Sequence, residues 1–270
     1  MELRDKTIVL TGASGGIGSA IAEGLAGAGA RLILVGRNRA GLEHQAETLS
    51  RRHGLPAGGQ HLPVDADIGT PEGRQTVAET CRREGIDILV NNAGSQLFGL
   101  FAEQDEAAIA ALLAVNLVAP LLLTRQLLPL LEARGEAAIV NIGSTFGSIG
   151  HPGFAAYCAS KAGLAGFSEA LRRELADGPV RVHHLAPRAT RTALNSDRVT
   201  ALNDALGNGV DEPSVVAAAL LDLLAAPRGL SRHLGWPERL FVRLNSLFPA
   251  IVDRALGRQL ALIRHHASRQ

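Results

Sequence analysis

At 270 residues, 46% of them hydrophobic and 20% charged, the chain can bury a full core, which excludes a disordered polymer. A formal charge of +1 supplies no global field to recruit nucleic acid or a membrane, although the C-terminal stretch is locally basic. Cys81 and Cys158 lie far apart without metal-ligand spacing, which fits a reducing cytoplasm better than a disulfide-held secreted fold.

The chain opens "MELRDKTIVLTG", passing from charged residues into a short strand at 6–12, without the long apolar run of an export signal. "TGASGGIG" at 11–18 follows, and then the helical pattern "GSAIAEGLAGAGA". A glycine turn between strand and helix is the setting of a dinucleotide site. Gly12 permits the tight turn, Gly16 admits a pyrophosphate close to the backbone, and Gly18 lets helix meet sheet, with Ile17 between them. The second strand, "RLILVG" at 31–36, ends where an NAD-preferring chain carries an acid, about 20 residues beyond the turn. Gly36 and Arg37 stand there instead, and a guanidinium attracts the 2′-phosphate of NADP. NADP(H) is therefore expected over NAD(H). Ser14 is a second donor to that phosphate and Arg39 a further candidate, the alternative for Arg39 being a solvated helix start. The third strand, "HLPVD" at 61–65, ends on Asp65, which can accept from the adenine amino group or cap the strand.

"IDILVNNAG" at 86–94, "AAIVNIGS" at 137–144 and "VRVHHLAP" at 180–187 complete a series of short apolar runs without strict alternation. Strands covered on both faces read this way. Helical segments that end at Gly separate the runs, which predicts a single α/β domain with a Rossmann-like, doubly wound parallel sheet. "AAIAALLAVNLVAPLLL" at 107–123 is interrupted by Asn116 and Pro120 and falls short of a bilayer span. A buried or interface helix is expected there.

"AAYCASKAG" at 155–163 holds the only tyrosine and one of the only two lysines, spaced i and i+4 on one helix face. Random placement gives that spacing less than about once in a hundred, given the composition. The other basic residues are arginines, so a lysine here suggests a need for a compact ammonium.

Taken with "TGxxxGxG", "NNAG" at 91–94, Asn116 and Ser144 thirteen residues before Tyr157, this pair resembles the short-chain dehydrogenase/reductase family over roughly residues 5–190. The resemblance implies hydride transfer between a nicotinamide and a carbonyl or alcohol. Tyr157 would be the general acid/base and Ser144 would hold the carbonyl oxygen. Lys161 would lower the Tyr157 pKa and hold the nicotinamide ribose. Asn116 would hold a water beside the lysine. Asn91, Ala93 and Gly94 would shape the turn at the adenosine ribose, or stabilise the sheet only. Pro187 would line the nicotinamide pocket and Thr192 would bind its carboxamide. Cys158 has no catalytic part.

Where the family has Pro-Gly, this chain has Pro187-Arg188. Arg188 has three open readings: pointing outward, touching pyrophosphate, or selecting an acidic substrate. Residues 5–187 form the expected cofactor-binding and catalytic core, 188–211 a substrate lid, and 237–268 a helical C-terminal extension broken near Pro249. The Asp-Gly-Gly strand end that builds the family's tetramer is missing, and more helix is expected in its place. A homodimer through the helices near 105–133 and 154–176 is expected. The tail from Arg228 carries eight arginines and three large aromatics. It reads as a lid or subunit contact with a solvated basic face, in preference to a helix lying on anionic lipid. His183-His184 and His265-His266 lack metal-site spacing, and no metal is expected. The predicted function is an NADP(H)-dependent reductase of an apolar carbonyl such as a 3-oxoacyl chain or steroid. A catalytically silent cofactor-binding scaffold or regulator is the alternative.

Overall fold

The computed structural model describes residues 1–54 and 59–268. β1 (Thr7–Thr11), β2 (Arg31–Gly36), β3 (Leu62–Asp65), β4 (Ile88–Asn91), β5 (Ala137–Ile142), β6 (Val180–Ala186) and β7 (Ser231–His233) form one parallel sheet. Their order is β3-β2-β1-β4-β5-β6-β7. The order reverses between β1 and β4, which opens a crevice at the carboxyl ends of the strands. This is the expected doubly wound, Rossmann-like single domain.

Leucine, isoleucine and valine fill β1, β4 and β5 because both faces of the sheet are covered. On one face α1 (Gly16–Gly27), α2 (Arg39–His53) and α8 (Pro213–Ala225) pack Leu25, Leu42 and Leu220 against Leu10 and Leu34. On the other, α3 (Pro71–Glu84), α5 (Ala119–Glu132) and α6 (Ala155–Glu174) set Val77, Leu123 and Leu171 against Val9 and Leu89. Asn38 and Thr70 cap α2 and α3 through side chains that accept from Gly41 N and Gly73 N. α1 begins after Gly15 with no side-chain cap, so its first-turn N–H groups are left for a ligand.

α4 (Glu106–Leu113), a π turn (Ala114–Val118) and α5 join into one helix, Glu106–Glu132. Its 27 residues are long and apolar enough to cross a membrane by length and composition, so the expectation that it falls short is corrected. Pro120 does not interrupt it, because it follows directly on the π turn, where the regular ladder is already broken and a missing N–H costs little. One face of this helix is fixed in the core by Ala119, Leu123, Leu127 and Leu131.

The six expected strands gain a seventh. β7 pairs with β6 from His184↔Ser231 to Ala186↔His233, where more helix was expected. Beyond it, α9 (Glu238–Leu247) and α10 (Pro249–Ala267) meet at Phe248-Pro249, the break expected near Pro249. α7 (Asp197–Leu206) lies within the segment after β6. Val199 and Leu202 of α7, Tyr157 of α6 and Ile263 of α10 share a third apolar cluster. Burying Ile263 contributes about 2 kcal/mol, more than the exposed bonds from Arg198 to the His266 and Ser268 carbonyls that accompany it.

Candidate active site

The glycine turn is tight because three glycines leave no space for side chains. Gly12 has φ +65°, and a Cβ there would stand 2.7 Å from Ala93 Cα. A Cβ on Gly18 would collide with the Gly12 carbonyl. A Cβ on Gly16 would stand 2.8 Å from Thr192 Cγ2, so the chain just after β6 crosses above the turn. Ile17 and Thr192 line the same cleft. Thr11 and Asn92, which the sequence reading passed over, set the position of the turn: Asn92 Nδ2 donates to the Thr11 and Gly12 carbonyls at 3.1 and 3.0 Å. Thr11 Oγ1 accepts from the backbone N–H groups of Asn92 and Ala93.

Four candidate residues meet at the ends of β2 and β3. Gly36 pairs with Asp65, and a Cβ on Gly36 would lie 3.5 Å from Ser14 Oγ. Arg37 is exposed and forms no ion pair among the described residues. Arg39 instead donates to Glu43 at 2.9 Å along its own helix, which favours the solvated helix-start reading. An uncapped helix N-terminus, a turn without side chains and an unpaired guanidinium fit a phosphate-bearing dinucleotide.

Lys161 and Tyr157 stand one turn apart on α6, 5% and 8% exposed. Lys161 Nζ donates to the Ile142 carbonyl at 3.1 Å and lies 5.9 Å from the centroid of the Tyr157 ring. Ser144, at the end of β5, lies beside the Tyr157 phenol and accepts from Phe146 N at 3.2 Å. Burial pushes the Tyr157 phenol up to about 12 against the opposing effect of the Ser144 hydroxyl, and pulls Lys161 down to about 8. The net shift of Tyr157 is therefore upward, because loss of water disfavours charge on both groups.

Asn116, fully buried in the π turn, receives Ser95 N at 2.8 Å on Oδ1. Its Nδ2 donates to the Ser95 carbonyl at 2.9 Å and to Ser160 Oγ at 3.1 Å. Both amide protons are thus committed to protein, whereas the sequence reading gave this amide to a water. Ser160 in turn donates to the Tyr157 carbonyl at 2.7 Å, so "CAS" contributes a hydrogen bond as well as small size. A Cβ on Gly94 would stand 3.2 Å from Asn116 Oδ1 and 3.6 Å from Lys161 Nζ. Asn91 turns away from this turn, with Nδ2 bonded to Asn141 Oδ1 at 2.8 Å and Thr124 Oγ1 at 3.2 Å. That favours its sheet-stabilising reading. The Pro187 carbonyl accepts both from Thr145 N and Thr145 Oγ1, at 2.9 and 3.0 Å.

Above Tyr157 lies a cleft of about 100 Å³. Phe146, Phe154, Leu194, Val199 and Leu202 form apolar walls, while Gln96, Asn195 and Asn203 add amides. Arg188 closes one side. Its Nη2 donates to Asp211 at 2.7 Å, and Nη1 reaches Glu238 at 3.2 Å and the Trp236 carbonyl at 3.3 Å. The three open readings of Arg188 are replaced by a fourth, a clamp between the 188–211 segment and the start of α9.

The family model described as short chain dehydrogenase matches residues 6–203. The ketoacyl reductase HetN of Nostoc is 34% identical over 93% of this chain and 88% of its own. A short-chain dehydrogenase of Sphingobium yanoikuyae, solved in complex with NADPH, superposes with a TM-score of 0.75 at 29% identity, covering 96% of this chain and 95% of its own. A family member from Burkholderia phymatum in complex with NAD shares the fold at a TM-score of 0.80 and 24% identity, over 91% of this chain and 94% of its own. Matches over this much of the chain, on a glycine turn and a tyrosine-lysine helix of this geometry, mean that the protein is an oxidoreductase belonging to the short-chain dehydrogenase/reductase family.

Proposed function

We propose that the protein reduces a ketone or aldehyde with NADP(H), using Tyr157 as general acid, on an apolar or lipid-like carbonyl such as a 3-oxoacyl chain. The observation that carries this reading is the pair of hydroxyls, Ser144 and Tyr157, side by side beneath the apolar cleft. A carbonyl oxygen seated on them accepts a hydrogen bond from Ser144 and a proton from Tyr157 as negative charge develops. A phenol pushed to about 12 is protonated at neutral pH, the state that reduction needs. Lys161, mostly ammonium at neutral pH with its value near 8, provides a cation for the developing phenolate. When bound, the nicotinamide supplies or accepts the hydride.

Arg37 and Ser14 hold the 2′-phosphate and Asp65 the adenine, while Gly12, Gly16, Ile17 and Gly18 receive the pyrophosphate and Ala93, Gly94, Lys161, Pro187 and Thr192 border the ribose and nicotinamide. The NADPH in the Sphingobium neighbour supports this choice, and the apolar walls together with the HetN relative support the substrate class. Residues 188–211 act as the lid. The homodimer forms through α4, α5 and α6: only 33% of the most apolar stretch of Glu106–Glu132 is buried, leaving Val118 and Leu122 uncovered.

Oxidation of NADPH with 3-oxoacyl thioesters and a ketone panel, compared with Tyr157→Phe, tests the reading. Wild-type turnover with a fall of about a hundredfold or more in the variant is expected. Equal turnover by both would defeat the tyrosine mechanism, and no turnover by either would favour the silent-scaffold alternative.

A further inference from the structure

Between Trp236 and Ile251 the surface carries a run of large apolar side chains that the fold does not cover. Trp236 and Leu247 are each 71% exposed, Phe248 57% and Ile251 51%, with Leu240 and Phe241 close behind. Their spacing is not that of stray surface residues. At 100° per residue Leu240, Leu244, Phe241 and Leu247 share about a third of the circumference of α9. Asn245, which donates to the Ser148 carbonyl at 2.9 Å, and Glu238, held by Arg188, lie beside the Phe241 edge of this arc. α9 is therefore fastened to the domain along that edge, while Leu240, Phe241 and Leu247 stay exposed to solvent, the reverse of a helix packed on a core.

Charge follows the same side. Arg243 borders the Leu247 edge of the apolar arc of α9, with Arg239 one turn before it, and Arg254 and Arg258 share the outward side of α10 with Ile251. These four are exposed and form no ion pair among the described residues. Glu238 is already occupied by Arg188, which leaves Asp253 as the one carboxylate in α9 and α10 without an ion pair among the described residues. A second copy seated by a two-fold axis would bring these arginines against their own kind. A surface of anionic headgroups supplies the opposite charge and an apolar layer at once.

We propose that α9 and the start of α10 form a docking face for an anionic lipid surface, with the apolar side chains entering the acyl boundary and the arginines meeting phosphates. The proposal is independent of which carbonyl the site reduces.

Trp236 is the only tryptophan of the chain and reports directly on this face. Full-length protein is mixed with vesicles of phosphatidylcholine alone or with phosphatidylglycerol, following Trp236 emission and co-sedimentation. The expected result is a blue shift and pelleting with the anionic vesicles only, reduced by salt of about 0.5 M. Leu247→Glu/Phe248→Glu should weaken partition at least tenfold, and Arg239→Ser/Arg243→Ser should remove the preference for anionic lipid, both with unchanged melting curves. Unshifted emission and no pelleting with anionic vesicles overturn the proposal. So does an emission shift that follows protein concentration without lipid, which assigns the face to a second copy.

Discussion

Arg188 Nη2 and Asp211 Oδ1 stand 2.7 Å apart, joining residues that leave β6 to the far end of the segment over the cleft. The two side chains are 19% and 13% exposed, enough shielding for a charge-assisted bond to count. Arg188→Ala should raise KM for the carbonyl substrate about tenfold and change kcat by no more than about threefold, since the clamp positions the lid and does not touch the reacting atoms. Pairing it with Asp211→Ala in a double-mutant cycle should give a coupling of about 1–3 kcal/mol. Additive effects in that cycle would show that the ion pair does not hold the lid.

Cofactor preference should reside largely in Arg37. Arg37→Asp removes a cation and places an acid where a ribose hydroxyl would accept it. KM for NADPH should rise by about a hundredfold and that for NADH should fall. An unchanged NADPH/NADH ratio in steady-state kinetics would remove Arg37 from the phosphate site.

The catalytic pair should separate reduction from oxidation by pH. Tyr157, near 12, stays protonated across pH 7–9, so it imposes no loss on reduction in that range. Lys161, near 8, loses its charge through the same range, so reductive kcat/KM should decline above about pH 8. Alcohol oxidation should climb instead, since the phenolate fraction grows tenfold per pH unit below the Tyr157 value. Lys161→Arg should flatten the reductive decline, because a guanidinium remains charged there.

Buried histidines should set the acid limit of stability. Loss of water pulls His61, His183 and His184 down to about 4, while their unfolded values lie near 6.5. Between those values the unfolded chain binds more protons than the fold, so stability is full above about pH 6.5 and is lost as pH falls toward 4. Each contributes at most about 3 kcal/mol to that loss. His183→Asn, which keeps an acceptor for Leu230 N, should reduce the pH dependence of the urea midpoint by about a third. An unaltered dependence would mean that His183 does not titrate on unfolding.

Periodicity and glycine placement made most of the sheet legible, because a covered parallel strand has an apolar signature of its own. β7 lacked one: "SRH" is a short polar edge whose pairing is imposed by β6. The spacing of Ser144, Tyr157 and Lys161 marked the site, but the direction of the Tyr157 shift depends on burial, which spacing does not encode. Arg188 was visible as a departure from Pro-Gly, while its partners lie 23 and 50 residues away and only folding brings them near. Asn91 and Asn92 are adjacent and alike in type; strand alternation sends one amide into the sheet and the other to the turn.

The π turn at Ala114–Val118 gives the central helix one place where a change in length can be absorbed. Ala119 N bonds the Ala114 carbonyl, five residues back, so the helix contains one residue more than a regular turn would hold. Deleting a single residue beside Asn116 would restore a regular turn and leave α4 and α5 close to their present phase. A deletion within α4 or at the start of α5 would instead rotate one part against the other by about 100°, so that either Leu123, Leu127 and Leu131 would leave the core, or Asn116 would leave Ser95 and Ser160. A substitution scan of this helix would find many tolerant outward positions; a scan of single-residue deletions would find tolerance chiefly at the π turn.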